Sequence, residues 1–387
     1  MIRTNSNNVK ATFLTVNLSF VLLLATTTVV LGGDTPIPES PYGVNNWFSS
    51  NVKQSTVRKS TLDPVLFQAE SVPVKVITVS KDGKGNFNNI KAAIDSVPNG
   101  NTRRIVISIG PGEYKEKITI DRSKQFISFY GNPKAMPTLV FDGTAAQYGT
   151  VDSATLIVYP DYFSAANIIF KARPSSFCCC CWIKKNSAPE PDGKRRNAQA
   201  IALRISGNKS SFYNCRFIGF QDTLCDDRGL HFFKDCYIEG TVDFIFGSGT
   251  SLYLRSELHV IGTSGMAVMT AQARESEKEE TGYSFVHCKV TGTGKHAFLG
   301  RAWMSRPRVV FSFTNLSDVV TPLGWSDNFH PERDNTVFFG EYKNSGPGAS
   351  TGGRSKFTKL LTYDQAKPYI SLGFIKGSTW LLPPPKP

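Results

Sequence analysis

Residues 215–222 read CRFIGFQD, and residues 236–243, at an offset of 21, read CYIEGTVD. Both segments begin with Cys, contain an aromatic or apolar pair, and carry Gly in fifth place and Asp at the end. Weaker copies of the pattern start at Ser256 and at Cys288. A period near 20 residues without a helix is typical of a solenoid, because one coil alone cannot bury its apolar face. The repeat therefore predicts an all-β fold, a right-handed parallel β-helix built as a single-stranded solenoid.

The chain around the repeat consists of short β-type runs bounded by Gly, Pro, Asn or Asp. Examples are residues 104–109, 125–130, 155–159, 167–170, 200–205 and 309–313. Their connections supply no regular helices, which disfavours a doubly wound sheet and the α/β-hydrolase fold. One short N-terminal helix is predicted where Ile90, Ala93, Ile94 and Val97 follow helical spacing and Pro98 stops it.

Composition and charge indicate a folded protein that binds negatively charged molecules. The 387 residues include 44 Lys and Arg against 31 Asp and Glu, a formal net charge of +13 at pH 7. With 40% hydrophobic and 12% aromatic residues, wholesale disorder is excluded. The positive excess attracts polyanions, which include nucleic acid, anionic membranes and acidic polysaccharides.

The N-terminal residues predict a compartment. Arg3 and Lys10 precede the uncharged residues 11–33, which end in two glycines. This layout predicts a cleaved secretory signal at residues 1–33, with a retained membrane anchor as the alternative. A secreted chain disfavours nucleic acid as a partner and favours an acidic extracellular polymer. The sequons at Asn208 and Asn315 fit a secreted glycoprotein.

Two other stretches have unusual compositions. Residues 34–73 are rich in Pro, Ser, Asn and Thr and are predicted to form an extended leader to a single domain at residues 74–387. Residues 172–184 contain four consecutive cysteines, Cys178 to Cys181, and are predicted to be an insertion in a surface loop. Adjacent cysteines cannot converge on one tetrahedral metal without other ligands.

The other four cysteines are dispersed, at Cys215, Cys225, Cys236 and Cys288. Disulfide pairing among them is open in an oxidising compartment, and the sequence cannot give its connectivity. An interior stack is the preferred interpretation of Cys215, Cys236 and Cys288, because small, polarisable side chains pack well inside a solenoid.

The repeat also brings two carboxyl groups together. Equivalent residues of neighbouring coils lie about 4.8 Å apart, so Asp222 and Asp243 should lie side by side on one face. Two carboxyl groups at such a distance do not both ionise readily, and one is expected to stay protonated near neutral pH. The alternative is that each Asp merely closes a turn. Gln221 and Gln199 would add amide donors, an arrangement that favours acyl transfer through an oxyanion.

Five motifs, taken in order, resemble those of plant pectin methylesterases, and the similarity runs from about Val76 to Pro385. The motifs are GEYKE at 112–116, QAIAL at 199–203, QDTL at 221–224, DFIFG at 243–247 and LGRAW at 299–303. A matching tail follows at 324–325 and 380–385. The resemblance implies a pectinesterase of the form without an N-terminal inhibitor-like domain.

The resemblance also implies hydrolysis of the methyl esters of homogalacturonan in the cell wall, with release of methanol. The implied roles are a nucleophile, Asp243; a general acid and then base, Asp222; oxyanion and substrate donors, Gln221 and Gln199; a group that holds Asp243 ionised and oriented, Arg301; and substrate-binding residues, Trp303 and Thr150. No metal or organic cofactor is expected. A monomer is expected, and a proteinaceous inhibitor is a candidate partner.

Departures from the family pattern, and two rival functions, remain open. Ala302 stands where many members have Pro, and Cys225 stands where Tyr is common. The insertion either bulges from a turn or displaces the strand that carries Gln199. A polygalacturonase would also use paired carboxyl groups but would release reducing ends. A catalytically silent wall protein would bind pectin through its positive charge alone.

Overall fold

The computed structural model describes residues 35–172, 196–262 and 266–387. The predicted signal at residues 1–33 and nearly all of the predicted insertion at 172–184 lie outside these ranges. Within them, no helix combines the length and apolar character that a membrane span requires.

The described chain winds through three parallel sheets. Sheet A contains β1 (Lys75–Val79), β2 (Ile105–Ile109), β5 (Ile127–Gly131), β8 (Ser164–Ala166), β11 (Ser210–Tyr213), β14 (Leu230–Lys234), β17 (Thr250–Leu254), β20 (Gly282–Val286), β23 (Arg308–Ser312), β26 (Phe338–Tyr342) and β27 (Thr358–Leu360). Sheet B contains β3 (Glu113–Lys115), β6 (Thr138–Phe141), β9 (Ile169–Ala172), β12 (Arg216–Ile218), β15 (Tyr237–Gly240), β18 (Glu257–Val260), β21 (Lys289–Gly292) and β24 (Asn315–Leu316). Sheet C contains β4 (Ile118–Ile120), β7 (Leu156–Val158), β10 (Leu203–Ile205), β13 (Leu224–Asp226), β16 (Val242–Gly247), β19 (Ala267–Gln272), β22 (Ala297–Arg301) and β25 (Trp325–Ser326).

Helices are short and lie before β1, after β27 or in connections between strands. They are α1 (Val44–Asn51), α2 (Pro64–Glu70), α3 (Ile90–Asp95), α4 (Ala145–Tyr148) and α5 (Tyr363–Ala366). Single 3₁₀ turns occur at Pro41–Gly43, Ser55–Val57, Val151–Ser153, Pro331–Arg333, Pro347–Ala349, Lys367–Tyr369, Leu372–Ile375 and Gly377–Thr379. The helix predicted around Ile90 is α3, and Asn89 caps it by accepting a hydrogen bond from the Ala92 amide.

The predicted parallel β-helix is confirmed, and the repeat sets its register. β12 pairs with β15 so that Arg216 lies opposite Tyr237, and β10 pairs with β13 so that Leu203 lies opposite Leu224. Both steps equal 21 residues, the offset seen in the sequence. β10 also pairs with β7. The strand that follows Gln199 is therefore in regular register and is not displaced.

The glycine shared by the two copies of the repeat is explained by a close approach. A Cβ atom on Gly219 would lie 2.4 Å from the Thr223 hydroxyl oxygen, and one on Gly240 would lie 2.2 Å from the Phe244 Cβ. Thr223 and Phe244 each follow an Asp of the repeat. Glycine thus allows the chain to turn tightly enough to present that Asp.

The interior is filled by ladders of like side chains. Five aromatic rings of sheet A stack at centroid distances of 4.8, 4.6, 4.5 and 4.4 Å, in the order Phe212, Phe233, Tyr253, Phe285 and Phe311. The cysteines predicted to stack are all buried in the interior, each directly before a strand of sheet B. Cys215 and Cys236 lie in adjacent coils, whereas Ser256 takes the equivalent place in the coil between Cys236 and Cys288. These three thiols and that of Cys225 are free, so the described cysteines form no disulfides.

The extended leader predicted for residues 34–73 is wrong for much of its length, because α1 and α2 form there. Trp47 and Phe48 of α1 and Leu66 of α2 are buried against the outer face of sheet A, where Phe48 stacks on Phe232 at 5.9 Å. Helices of seven and eight residues are marginal alone, and most of their stability comes from tertiary packing. Each helix is also too short to contain enough apolar positions for a helical period to be recognised in the sequence.

Residues 370–381 cover the same face of sheet A. Ile370, Leu372 and Trp380 pack in one apolar cluster with the N-terminal helices, and the Ile370 carbonyl accepts a hydrogen bond from the Ile37 amide. Arg58 donates to the Leu381 carbonyl. Two segments that are distant in sequence thus form a single cover over sheet A.

A buried ion pair lies at the C-terminal end of the solenoid. Arg354 donates from Nε and Nη2 to the two carboxylate oxygens of Glu341, at 2.7 and 3.1 Å, and both side chains are 4% exposed. The indole N–H of Trp325 donates to the same carboxylate at 3.1 Å. Trp325 belongs to β25, the strand next to β22, so the ion pair supports the strand that ends in Arg301.

Candidate active site

The candidate site lies on the outer face of sheet C. An apolar cluster separate from the interior covers this face, and its members are Ala154, Ile157, Ile201, Cys225, Phe246 and Ala271, with Tyr159 and Trp303 packed against them. Paired positions place Ile157, Arg204, Cys225 and Phe246 in one row across β7, β10, β13 and β16. Apart from Arg204, which is paired with Asp227, the row forms an apolar floor beside the predicted polar residues.

The structure places Asp222 and Asp243 at equivalent positions of adjacent coils. Leu224 pairs with Ile245, again a step of 21 residues, and the Asp222 amide donates to the Val242 carbonyl at 3.1 Å. The backbone of both Asp residues adopts the left-handed conformation, with φ of 64° at Asp222 and 51° at Asp243. The pairing of β16 with β19 shifts between Val242 and Ile245, so a bulge presents Asp243.

Arg301 binds Asp243 through two hydrogen bonds. Its Nε donates to Oδ1 at 2.8 Å and its Nη2 donates to Oδ2 at 2.5 Å. Burial alone would lower the pKa of Arg301, but the hydrogen bonds and the negative charge of Asp243 raise it overall. The guanidinium therefore stays charged and holds the Asp243 carboxylate in one orientation.

The two carboxyl groups have different surroundings although both are buried, with Asp222 8% and Asp243 7% exposed. The pKa of Asp222 is raised to about 8, chiefly by burial and also by the negative charge of Asp243, although Arg301 opposes the rise. Asp222 is therefore protonated at neutral pH. A proton donor thus stands next to a carboxylate held by a guanidinium.

The predicted substrate-binding residues flank strands of sheet C, since Thr150 precedes β7, Gln199 precedes β10 and Trp303 follows β22. The Gln199 amide nitrogen donates to the Thr150 hydroxyl at 3.1 Å, which brings these two residues together. Gln221 immediately precedes Asp222 and is half-buried, and its side-chain amide has no hydrogen-bond partner within the described ranges. Trp303 meets Phe246 edge to face, with ring centroids 6.2 Å apart.

Sequence reasoning missed Asn328, whose side-chain oxygen accepts a hydrogen bond from Nη1 of Arg301 at 2.7 Å. No motif or period marks this residue, which lies in a loop far from Asp243 in sequence. The sequence indicated Phe246 only as part of the DFIFG motif at 243–247, although it belongs to the floor of the site. Among the described residues, no cluster of three or more His, Cys, Asp and Glu side chains could hold a metal ion.

Comparison with known proteins gives consistent matches. The Pectinesterase family profile matches residues 76–177 and 182–378. Pectinesterase 2 of Olea europaea is 53% identical over 358 residues, which cover 92% of this chain and 93% of that protein. The solved pectin methylesterase from carrot superposes with a TM-score of 0.67 at 26% identity, covering 77% of this chain and 93% of that chain. A pectin methylesterase in complex with hexasaccharide VII gives 0.65 at 27% identity, covering 81% and 100%.

The fold, the outer-face site and these matches together define a parallel β-helix enzyme of the carboxylic ester hydrolases. The chain belongs to the pectinesterase family. The resemblance seen in the five sequence motifs is thereby confirmed. Family membership counts against both rivals, the polygalacturonase and the catalytically silent wall protein.

Proposed function

We propose that this enzyme removes methyl esters from homogalacturonan, with Asp243 as the nucleophile and Asp222 as the acid and then the base. The main support for this proposal is that the two carboxyl groups have different environments. Asp222 is a buried proton donor, whereas the Asp243 carboxylate is bound by Arg301. Each oxygen of Asp243 accepts one hydrogen bond from Arg301, which leaves a lone pair free for attack.

In the first half of the reaction, an Asp243 oxygen forms a bond to the ester carbonyl carbon. The carbonyl oxygen becomes an oxyanion, and the amide N–H groups of Gln221 and Gln199 are the proposed donors that stabilise it. Collapse breaks the bond to the methoxy oxygen, which takes the proton of Asp222 and leaves as methanol. The products are a mixed anhydride on Asp243 and an ionised Asp222.

In the second half, Asp222 removes a proton from a water molecule that attacks the galacturonyl carbon of the anhydride. Collapse then breaks the bond to Asp243, which regains its carboxylate, and frees the galacturonyl group as a carboxylic acid that gives its proton to solvent. Asp222 is left in its protonated form. The same carboxyl group thus acts in both directions, which needs a pKa near the working pH. A value of about 8 meets this requirement.

Homogalacturonan is the proposed substrate because the paired carboxyl groups lie beside an apolar cluster on the outer face of sheet C, where a polymer chain can reach them without entering the interior. One structural relative is a pectin methylesterase in complex with a hexasaccharide, which supports an oligosaccharide as ligand. Trp303, which is half-buried and packs on the buried Phe246, offers aromatic surface to sugar rings. The net charge of +13 attracts an acidic polymer. Thr150 is the proposed partner that orients Gln199 toward substrate.

Secretion to the cell wall is proposed from the layout of residues 1–33, which lie outside the described part of the chain. A proteinaceous inhibitor as partner and a monomeric state are likewise proposals, and both rest on the family resemblance alone.

Methanol release from highly esterified pectin by the purified secreted protein tests the proposed activity. We expect methanol and new carboxylate to appear in equal amounts, without new reducing ends, because the ester bond and not the glycosidic bond is broken. Reducing ends without methanol would instead identify a glycosidase.

The rate should fall above about pH 8. Asp222 must carry its proton to release methanol, and the protonated fraction declines as pH rises through its pKa of about 8. We expect kcat/KM for methanol release to decrease by about tenfold per pH unit beyond that point. Initial rates from pH 6 to 10, corrected for alkaline hydrolysis without enzyme, measure this. A flat profile to pH 10 would exclude Asp222 as the acid.

A further inference from the structure

Asn328 lies in the loop at residues 327–333, directly after β25, and contacts the arginine of the site. Its side-chain oxygen accepts from Nη1 of Arg301 at 2.7 Å, while Nε and Nη2 of the same guanidinium donate to Asp243. We propose that Asn328 is a positioning residue, which fixes Arg301 so that the Asp243 carboxylate faces the ester carbonyl. This inference rests on the proposed role of Asp243.

The backbone of the loop is strained in a way that serves this contact. Asn328 and Phe329 are both left-handed, with φ of 60° and 61°, a conformation that non-glycine residues adopt at an energetic cost. Burial of the aromatic ring does not offset the cost, because Phe329 is 87% exposed. The conformation places the side-chain oxygen of Asn328 next to Nη1, the guanidinium nitrogen that does not bind Asp243.

Local hydrogen bonds hold that conformation. The Asn328 amide donates to the Ser326 hydroxyl, and the Phe329 amide donates to the Asp327 carboxylate, each at 3.0 Å. A backbone N–H that donates to a short polar side chain two residues earlier stabilises a turn. The loop is therefore shaped by its own residues and does not depend on a buried side chain.

The loop is also tied to the strand that carries Arg301. Arg333 donates to the carbonyls of Ala302 and Trp303 at 2.6 and 2.9 Å, and the Ala302 amide donates to the Ser326 carbonyl at 2.9 Å. These two residues follow Arg301 directly. The loop that carries Asn328 is thus held on both sides of that residue against the segment that follows Arg301, by one backbone hydrogen bond and by the Arg333 side chain.

Asn328→Gly tests the proposal because glycine accepts the left-handed backbone and removes the side chain whose oxygen contacts Arg301. We expect an unchanged or higher melting temperature, an unchanged KM for pectin and a kcat lower by about tenfold. Asn328→Asp keeps an acceptor oxygen in the same place and should retain most of kcat. Asn214→Gly makes the same change at a left-handed, exposed Asn on the turn between sheets A and B, and it should leave kcat unaltered.

A second background separates positioning from a general structural role. Arg301→Lys replaces the guanidinium by an ammonium group and so removes Nη1, the nitrogen that Asn328 contacts. Adding Asn328→Gly to this variant should therefore cause no further loss of kcat. Equal losses in both backgrounds, or wild-type kcat in Asn328→Gly alone, would overturn the proposal. Full activity of Asp243→Asn would instead overturn the proposed function itself, whatever the behaviour of Asn328.

Discussion

Asp243→Asn is expected to reduce methanol release from highly esterified pectin by at least about 10³-fold. An amide is a poor nucleophile, and its nitrogen would face the guanidinium of Arg301 where a carboxylate oxygen now accepts a hydrogen bond. The side chain keeps its size in a buried position, so the fold should persist. Initial methanol rates and thermal unfolding curves, measured on the same preparations, give both quantities.

Asp235→Asn is the matched control for this change. Asp235 is left-handed like Asp243, with φ of 56°, and it pairs with Arg255 at 2.6 Å, but it lies on the turn between sheets A and B. We expect it to keep wild-type turnover. Activity of Asp243→Asn within a few fold of wild type would show that this carboxylate is not the nucleophile.

Arg354→Met is expected to lower the free energy of unfolding by about 3–5 kcal/mol. The substitution leaves the Glu341 carboxylate buried, with Trp325 and Asn344 as donors and no opposite charge in contact. An unpaired buried charge is costly because it has lost its hydration without a compensating partner. Urea unfolding followed by tryptophan fluorescence measures the change, and loss of Trp325 order should accompany it.

Two comparisons test the reason for that loss. Glu341→Gln combined with Arg354→Met removes both charges and should recover a large part of the stability, since no charge remains unpaired. Lys91→Met breaks the exposed pair with Asp95, whose side chains are 65% and 58% exposed, and should change stability by less than about 1 kcal/mol. If Arg354→Met lost no more than Lys91→Met, burial of Glu341 would not be the governing factor.

The solenoid and its carboxyl pair could be predicted because both depend on one number, the length of a coil. In a parallel β-helix, residues one period apart share a face, so the 21-residue offset placed Asp222 opposite Asp243 without any knowledge of the loops. The same offset gave the glycine that packs behind each Asp. Strand limits were less accurate: residues 200–205 were predicted as a strand, whereas β10 begins at Leu203.

The rest of the site depends on contacts that have no period. Arg301 reaches Asp243 across 58 positions of the chain, and Asn328 reaches Arg301 across 27. The sequence indicated Arg301 only through its motif and did not indicate Asn328. The helices at residues 44–70 were missed for a related reason, since the sheet against which they pack comes later in the chain.

The cover over sheet A changes how the coils can come apart. A stack of repeats with free ends loses its outermost repeats first, because each contacts a single neighbour. Here residues 37–69 and 370–381, which flank the first and last strands in sequence, pack together over the middle coils. Unfolding of the coils at either end is therefore expected to require that these two segments separate. The contact between the two segments thus makes coils that would otherwise unfold one by one unfold together, as one cooperative unit.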